Sequence, residues 1–182
     1  MSQRQYPVAS NDAERVQTLH DLKILDTSSE DAFDRITESM TLIFDIPTAL
    51  VSLVDADRQW FKSKQCLGAQ QTDRDVAFCN YTIVQDQIFE VTSPETDERF
   101  RDNPLVTGEL GLRYYAGAPI IVRGHSIGAL CMLDYKEREP LTEAERTILM
   151  NLANLASRMI NDRRLLREST VLISELMSGE GE

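Results

Sequence analysis

From Thr142 to Ser178 the chain carries neither glycine nor proline, and its apolar residues recur at steps of three and four. Nothing else in the sequence limits the fold as strongly. Thr142 is a good helix cap, and Glu145 stands where its carboxylate can reach back to the Thr142 amide. The spacing predicts one helix from 142 to about 176. About 36 residues at ~1.5 Å each run ~50 Å, more than one small domain can cover. Leu149, Ala153, Ala156 and Ile160 form a stripe suited to a sheet. A neighbouring stripe, Ile148, Leu152, Leu155, Met159, Asp162, Leu166, Ser169, Ile173 and Leu176, has heptad spacing with two polar interruptions. The helix is therefore expected to pack on its own domain first and then on a second copy. Ile148, Leu152, Leu155, Met159, Leu166 and Ile173 are the expected dimer contacts.

Upstream, two helices precede any strand. Asn11 with Glu14 resembles a capping box, and Val16, Leu19, Leu22 and Ile24 or Leu25 carry an apolar stripe to about residue 26. A second helix starts at Ser28 or Ser29, with Phe33, Ile36, Met40, Ile43 and Phe44 on one face, and Pro47 closes it. TALVSLVD and RQWFKSKQ, joined by DADR, read as a hairpin; QQTDRD reads as a polar loop and VAFCNYTIVQ as a short helix. IFEVTS is a strand, and ETDERFRDNPLVTGELG a long connection with at most one helical turn. Residues 113–122 and 126–134, linked by Arg123-Gly124-His125, predict a second hairpin. Hairpins bracketed by helices give an α+β class with an antiparallel sheet.

The charge balance narrows the partners. Lys and Arg number 19 against 30 Asp and Glu, for a net charge of −11, which speaks against non-specific nucleic-acid binding and against an anionic membrane surface. The longest stretch without a charged residue, Thr147 to Ser157, is far shorter than the ~20 residues of a membrane span. MSQRQYPVAS has no signal-peptide core, so the expected location is the cytoplasm. Between residues 58 and 72 stand Arg58, Lys62 and Lys64 and no acid. That stretch leaves room for a small anionic ligand beside the second strand.

Several segments together, VSLVDADRQWFKSKQCLG, TDRDVAFCNYTI, DERFRDNPLVTG, LRYYAGAPII and IGALCMLD, resemble the GAF-domain branch at the front of bacterial sensor histidine kinases and diguanylate cyclases. The leader NDAERVQTLHDLKILDTSSEDAFDRIT resembles that branch too, so the resemblance covers about residues 11–160. It implies a GAF-like fold. About six antiparallel strands would carry the N- and C-terminal helices on one face and a small-molecule pocket on the other. A signalling helix would lead to an output domain, of which this chain shows no kinase or cyclase motif. The expected organisation is a flexible leader over 1–10, a sensor domain over 11–160, a helical extension over 161–177 and a disordered tail over 178–182. The function so implied is small-molecule sensing or regulation in two-component or cyclic di-GMP signalling, relayed by a homodimer through the N- and C-terminal helices.

Chemistry of the chain's own is expected to be absent. His20, His125 and the three cysteines have no metal-ligand spacing, so no metal and no cofactor is expected. No phosphate-cradling glycine loop occurs. Cys79 is followed by Asn80, whereas bilin-binding GAF domains usually have histidine after their chromophore cysteine. Cys66, Cys79 and Cys131 suggest an enzymatic alternative, a thiol-based reductase of the free-methionine-sulfoxide type, although their separations depart from that family's cluster. A third reading is a ligand-free dimerisation module. The ligand-binding candidates are Trp60, Phe61, Phe78, Cys79, Asp97, Arg99, Asn103, Tyr114 and Tyr115, aromatic walls with a polar floor. Tyr114 and Tyr115 must point to opposite faces of their strand. Gly117 and Gly128 either pack closely or leave room for the ligand.

Overall fold

The computed structural model describes residues 6–178; the expectations for residues 1–5 and 179–182 lie outside the described residues. Two helices, α1 (Asp12–Asp21) and α2 (Asp31–Ile43), lead into β1 (Thr48–Val54) and β2 (Arg58–Lys64). A short β3 (Gln71–Asp73) and a single 3-10 turn (Arg74–Val76) precede α3 (Cys79–Thr82). Then follow β4 (Phe89–Val91), α4 (Pro104–Thr107), β5 (Tyr114–Val122), β6 (His125–Asp134) and α5 (Glu143–Ser178). The six strands form one sheet in the order β3-β2-β1-β6-β5-β4, and every pairing is antiparallel. This is the α+β sheet the sequence predicts.

The hairpin of β5 and β6 closes more tightly than the sequence suggests. His125 already belongs to β6, so the loop is Arg123-Gly124 alone. Both residues have positive φ, 54° and 80°, as two-residue hairpin turns require to match strand twist. QQTDRD, expected as loop, contains β3, whose Gln71–Asp73 pair with Arg58–Trp60 at the sheet edge. α1 ends at Asp21 rather than near residue 26, because Lys23 turns to φ 49°. Leu22 and Ile24 still enter the core, carried there by irregular backbone. Neither early helix uses the expected side-chain cap: Asn11 makes no capping bond, and α2 starts after Glu30 rather than after Ser28 or Ser29.

Two apolar layers sit on the two faces of the sheet. On one, Leu19, Phe33, Ile36 and Met40 of the early helices meet Val51, Leu53, Ile120, Leu130 and Met132. α5 joins this layer through the stripe expected for it, with Leu149, Ala153, Ala156 and Ile160 all buried. Thr142 and Glu145 cap the helix reciprocally: Glu145 Oε2 accepts from the Thr142 amide at 2.8 Å, and Thr142 Oγ1 accepts from the Glu145 amide at 3.3 Å. Glu90 pins the same end by accepting from the Leu141 amide and Tyr114 hydroxyl, both at 2.8 Å, and from Arg146.

Buried charge ties α1 to the far edge of the sheet. Arg74, almost fully buried, donates to Asp12 Oδ2 at 2.9 Å and Oδ1 at 2.7 Å, and to Asn80 Oδ1 at 3.0 Å. Arg15, equally buried, donates to the same Asp12 at 2.9 Å and to the Val54 carbonyl. The Tyr6 ring lies against the Arg74 guanidinium, so this part of the expected leader is packed on the domain. Past Arg163 the long helix leaves the body, and every residue from Leu165 to Ser178 is exposed.

Candidate functional site

The face of the sheet away from α1, α2 and α5 is covered by α3, α4 and the long connections. Side-chain alternation decides which candidate residues reach it. Phe61 and Tyr115 point to this face and join Phe78, Cys79, Phe100 and Cys131 in its apolar cluster. Trp60 and Tyr114, expected as pocket walls, instead face the helix layer, where Tyr114 hydrogen-bonds Glu90. The nine candidates thus do not converge on one wall: each neighbouring aromatic pair is split by the pleat.

What converges is a box of aromatic rings. Phe78 and Phe100 stack at 3.9 Å between centroids and 12° between planes. Tyr81 meets Phe100 edge-on at 4.8 Å and stacks on Phe89 at 5.4 Å, and Tyr115 lies 5.3 Å from Phe78. Phe89, Phe100 and Tyr81 lie outside the nine sequence candidates; the signal for Phe100 is an apolar ring amid the charges of DERFRDNP.

Arg99 closes the outer side of the box. Its guanidinium sits 5.0 Å from the Phe89 centroid, 5.3 Å from Phe100 and 5.6 Å from Tyr81, while its side chain stays 45% exposed. Such contacts hold a cation against an aromatic face. Asp97 accepts from Arg99 Nε at 2.9 Å and Nη2 at 2.6 Å. The Arg99 guanidinium holds the Asp97 carboxyl below the usual range, and Arg99 is in turn shifted up. Asn103 works within the loop: it accepts from the Leu105 amide at 2.8 Å, capping α4, and donates to the Val76 carbonyl at 3.0 Å.

At the inner side lie the thiols. Cys79 Sγ stands 3.7 Å from Cys131 Sγ, and Tyr115 donates to Cys79 at 3.2 Å while its oxygen lies 2.7 Å from Thr82 Oγ1. Gly117 makes room for that hydroxyl, since a Cβ there would collide with Tyr115. Gly128 serves packing instead, its missing Cβ admitting the backbone of Ser52. The interior volume around Gly117 is thus taken by the chain itself.

The basic stretch beside β2 borders a cleft of about 650 Å³. Lys62 is spent on Thr27, the Ser28 carbonyl and Glu30 at 2.9, 2.7 and 2.6 Å. Arg58 holds Asp26 at 2.7 and 2.8 Å, and Lys64 the carbonyls of Leu67 and Gly68 at 3.0 Å. Asp26, Asp34 and Glu38 line the same cleft. Acids from elsewhere in the chain therefore neutralise Arg58 and Lys62 of the acid-free stretch, while Lys64 meets backbone carbonyls alone. Among the described residues, no group of three His, Cys, Asp or Glu is placed to hold a metal ion. Nor, among them, is any helix long and apolar enough to cross a membrane.

Comparison with known proteins adds the following. Residues 28–160 match the family model for the GAF domain. A cyclic di-GMP phosphodiesterase of Pseudomonas aeruginosa is 36% identical over 159 residues, which are 87% of this chain and 27% of that protein. The chain thus spans about a quarter of that relative's length. Among solved structures, the GAF domain of an Acinetobacter phosphoenolpyruvate-protein phosphotransferase aligns with a TM-score of 0.63 at 14% identity, over 92% of this chain and 99% of that one. A domain of a putative two-component sensor histidine kinase from Sinorhizobium meliloti aligns equally well, with a TM-score of 0.63 at 12% identity, over 80% and 99% of the two chains.

Proposed function

The chain belongs to the GAF domain family, and on that premise we propose that it is a non-catalytic regulatory domain of a bacterial signalling protein. It works in the cytoplasm as a homodimer through its first and last helices and passes its state along α5. The observation that carries this reading is the free run of α5. Leu165, Leu166, Val171, Leu172, Ile173, Leu176 and Met177 are all exposed there. An apolar stripe on an unaccompanied helix costs free energy in water, and pairing two such helices removes the cost. Ile148 and Leu155 extend the stripe onto the body of the domain, and the half-buried Leu152 and Met159 border it.

The phosphodiesterase relative suggests the setting. The segment matched is about a quarter of that protein, so we assign to this chain the regulation, and to other segments the turnover, of a cyclic di-GMP or two-component output. A small molecule meets the domain at the Arg99 rim, drawing the guanidinium off Asp97 and away from the aromatic box. The anionic class suits Arg99, whose side chain stays 45% exposed, better than Arg58 and Lys62 beside β2, which are 25% and 0% exposed and paired with Asp26 and Glu30.

Sedimentation of the chain and of a form ending at Arg164 tests the relay. The shorter form keeps the buried Ile160 and the contacts of Arg163. The expected result is a dimer for the first and a monomer for the second; two monomers at high micromolar concentration overturn the reading. A thermal-shift screen tests the rim, since a ligand that binds only the folded state raises stability. A stabilising hit should vanish in Arg99→Ala.

A further inference from the structure

Two cysteines 52 residues apart in sequence touch inside the domain. Cys79 opens α3, Cys131 lies in the middle of β6, and their sulfurs are 3.7 Å apart as free thiols. A disulfide needs ~2.05 Å between sulfurs, so closing the bond asks for an approach of under 2 Å. β6 is clamped on both sides by β1 and β5, whereas α3 is a four-residue turn flanked by loops. The movement therefore falls to α3.

The surroundings of the two sulfurs differ. The Tyr115 hydroxyl donates to Cys79, at 3.2 Å. Burial pushes the Cys79 thiol up, but the hydrogen-bonding contacts of its sulfur with Cys131 and Tyr115 outweigh it and hold Cys79 below the usual cysteine range. The hydrogen bond to Cys79, together with burial, pushes Cys131 well above that range. A thiol that ionises more readily is the one an oxidant meets first, and its neighbour then resolves the product.

We propose that Cys79 and Cys131 form a peroxide-oxidisable dithiol, with Cys79 the first to react and Cys131 the resolving partner. The Cys79 thiolate attacks one oxygen of hydrogen peroxide; the O–O bond breaks, and the departing hydroxide takes the proton released by the thiol and leaves as water. Cys79 is then a sulfenic acid. The Cys131 sulfur attacks the Cys79 sulfur, the S–O bond breaks, and the hydroxyl takes the Cys131 proton and leaves as a second water. Two electrons pass from the sulfurs to the peroxide. Both thiols are almost fully buried while Cys66 is exposed, so the pair admits a small peroxide during brief opening of α3 and excludes bulky disulfides. The reaction makes the α3 turn a modification site, independent of whether the chain dimerises.

The experiment uses the full chain with Cys66→Ser, treated with hydrogen peroxide, alkylated after denaturation and mapped by mass spectrometry. The expected product is one cross-linked peptide pair joining Cys79 to Cys131, lighter by two hydrogens and restored by dithiothreitol. Cys131→Ser should stop at a sulfenic acid on Cys79 that dimedone traps, its fold checked by circular dichroism. Tyr115→Phe, lacking the donor to the ionised sulfur, should oxidise about tenfold more slowly. Two thiols that still alkylate after peroxide, or sulfinic acids at either position without a cross-link, overturn the proposal. So does unimpeded reaction of the native pair with glutathione disulfide.

Discussion

Arg163 Nε, on α5, donates to Glu30 Oε1 at 2.8 Å, the same oxygen that receives the buried Lys62 Nζ at 2.6 Å. One carboxylate so joins the long helix, the connection before α2 and the second strand. Arg163 also donates to the Lys23 carbonyl at 3.1 Å, and every residue from Leu165 to Ser178 is exposed. Arg163→Gln is expected to change unfolding free energy by less than about 1 kcal/mol, as for most partly exposed pairs. Hydrogen-exchange protection of α5 after Ile160 should fall all the same. Glu30→Gln should cost more, about 1–3 kcal/mol, because it withdraws the ionic partner of a buried ammonium. Unchanged protection in Arg163→Gln would place the anchor elsewhere.

Acid should loosen the α1 clamp. Burial pushes the Asp12 carboxyl up, but the hydrogen bond from Arg74 and the charge of Arg15 hold it below its ordinary range. A carboxyl lowered in the folded state adds stability that is complete above its unfolded pKa of ~3.9 and is lost as pH falls through the folded value. Asp12→Asn is therefore expected to be about 3 kcal/mol less stable at neutral pH, since it leaves buried guanidiniums without their anion. Urea unfolding at a series of pH values should bring parent and variant together as acid is added. Parallel curves would mean that Asp12 contributes no net charge stabilisation.

The aromatic box should be the stiffest part of the thiol face. Phe100 is almost fully buried and stacked on Phe78, and Phe100→Ala is expected to cost about 3–5 kcal/mol, the usual range for such a truncation. Phe100→Leu, which keeps most of the volume, should lose less than half of that. Chemical denaturation of both checks the order; equal losses would show that ring stacking, not filled space, holds the box.

Two glycines in neighbouring strands should respond differently to the same methyl group. At Gly128 the new Cβ meets backbone of β1, at Ser52 and Leu53. Gly128→Ala should therefore unfold or insolubilise the chain, with a cost above about 4 kcal/mol. At Gly117 it meets the hydroxyl end of Tyr115 and Thr82 Oγ1 rather than backbone, so side chains have to shift while the strand pairing stays. Gly117→Ala should stay folded and lose the Tyr115 contact to Cys79. Thermal melts and the reactivity of Cys79 toward small alkylating agents report the two effects separately.

Much of this architecture is legible in local sequence, where one signal suffices. Thr142 with Glu145 announces the long helix, Arg123-Gly124 fixes a hairpin, and the 149–153–156–160 spacing identifies the buried stripe. β3 escapes notice because three polar residues at a sheet edge carry neither apolar alternation nor β-branched enrichment beyond Thr72. The extent of α1 misleads because Leu22 and Ile24 are buried without being helical. For the candidate site, alternation states that Tyr114 and Tyr115 part, but only the sheet register decides which of them meets the thiols. The basic stretch 58–72 misleads for a related reason: its counter-charges, Asp26 and Glu30, lie about thirty residues upstream and arrive only on folding.

The similarity that defines the family begins at residue 28 and stops at 160. Asp12, which neutralises Arg74, lies before that interval, and Arg163, which fastens α5 to Glu30, lies after it. A segment excised at the family limits would keep all six strands yet lose both fastenings, and the Arg74 guanidinium would lose its anion together with α1. The unit that can be moved intact between proteins is therefore wider than the unit that is recognised. A graft of this domain has to take at least residues 12–163 to remain one mechanical piece.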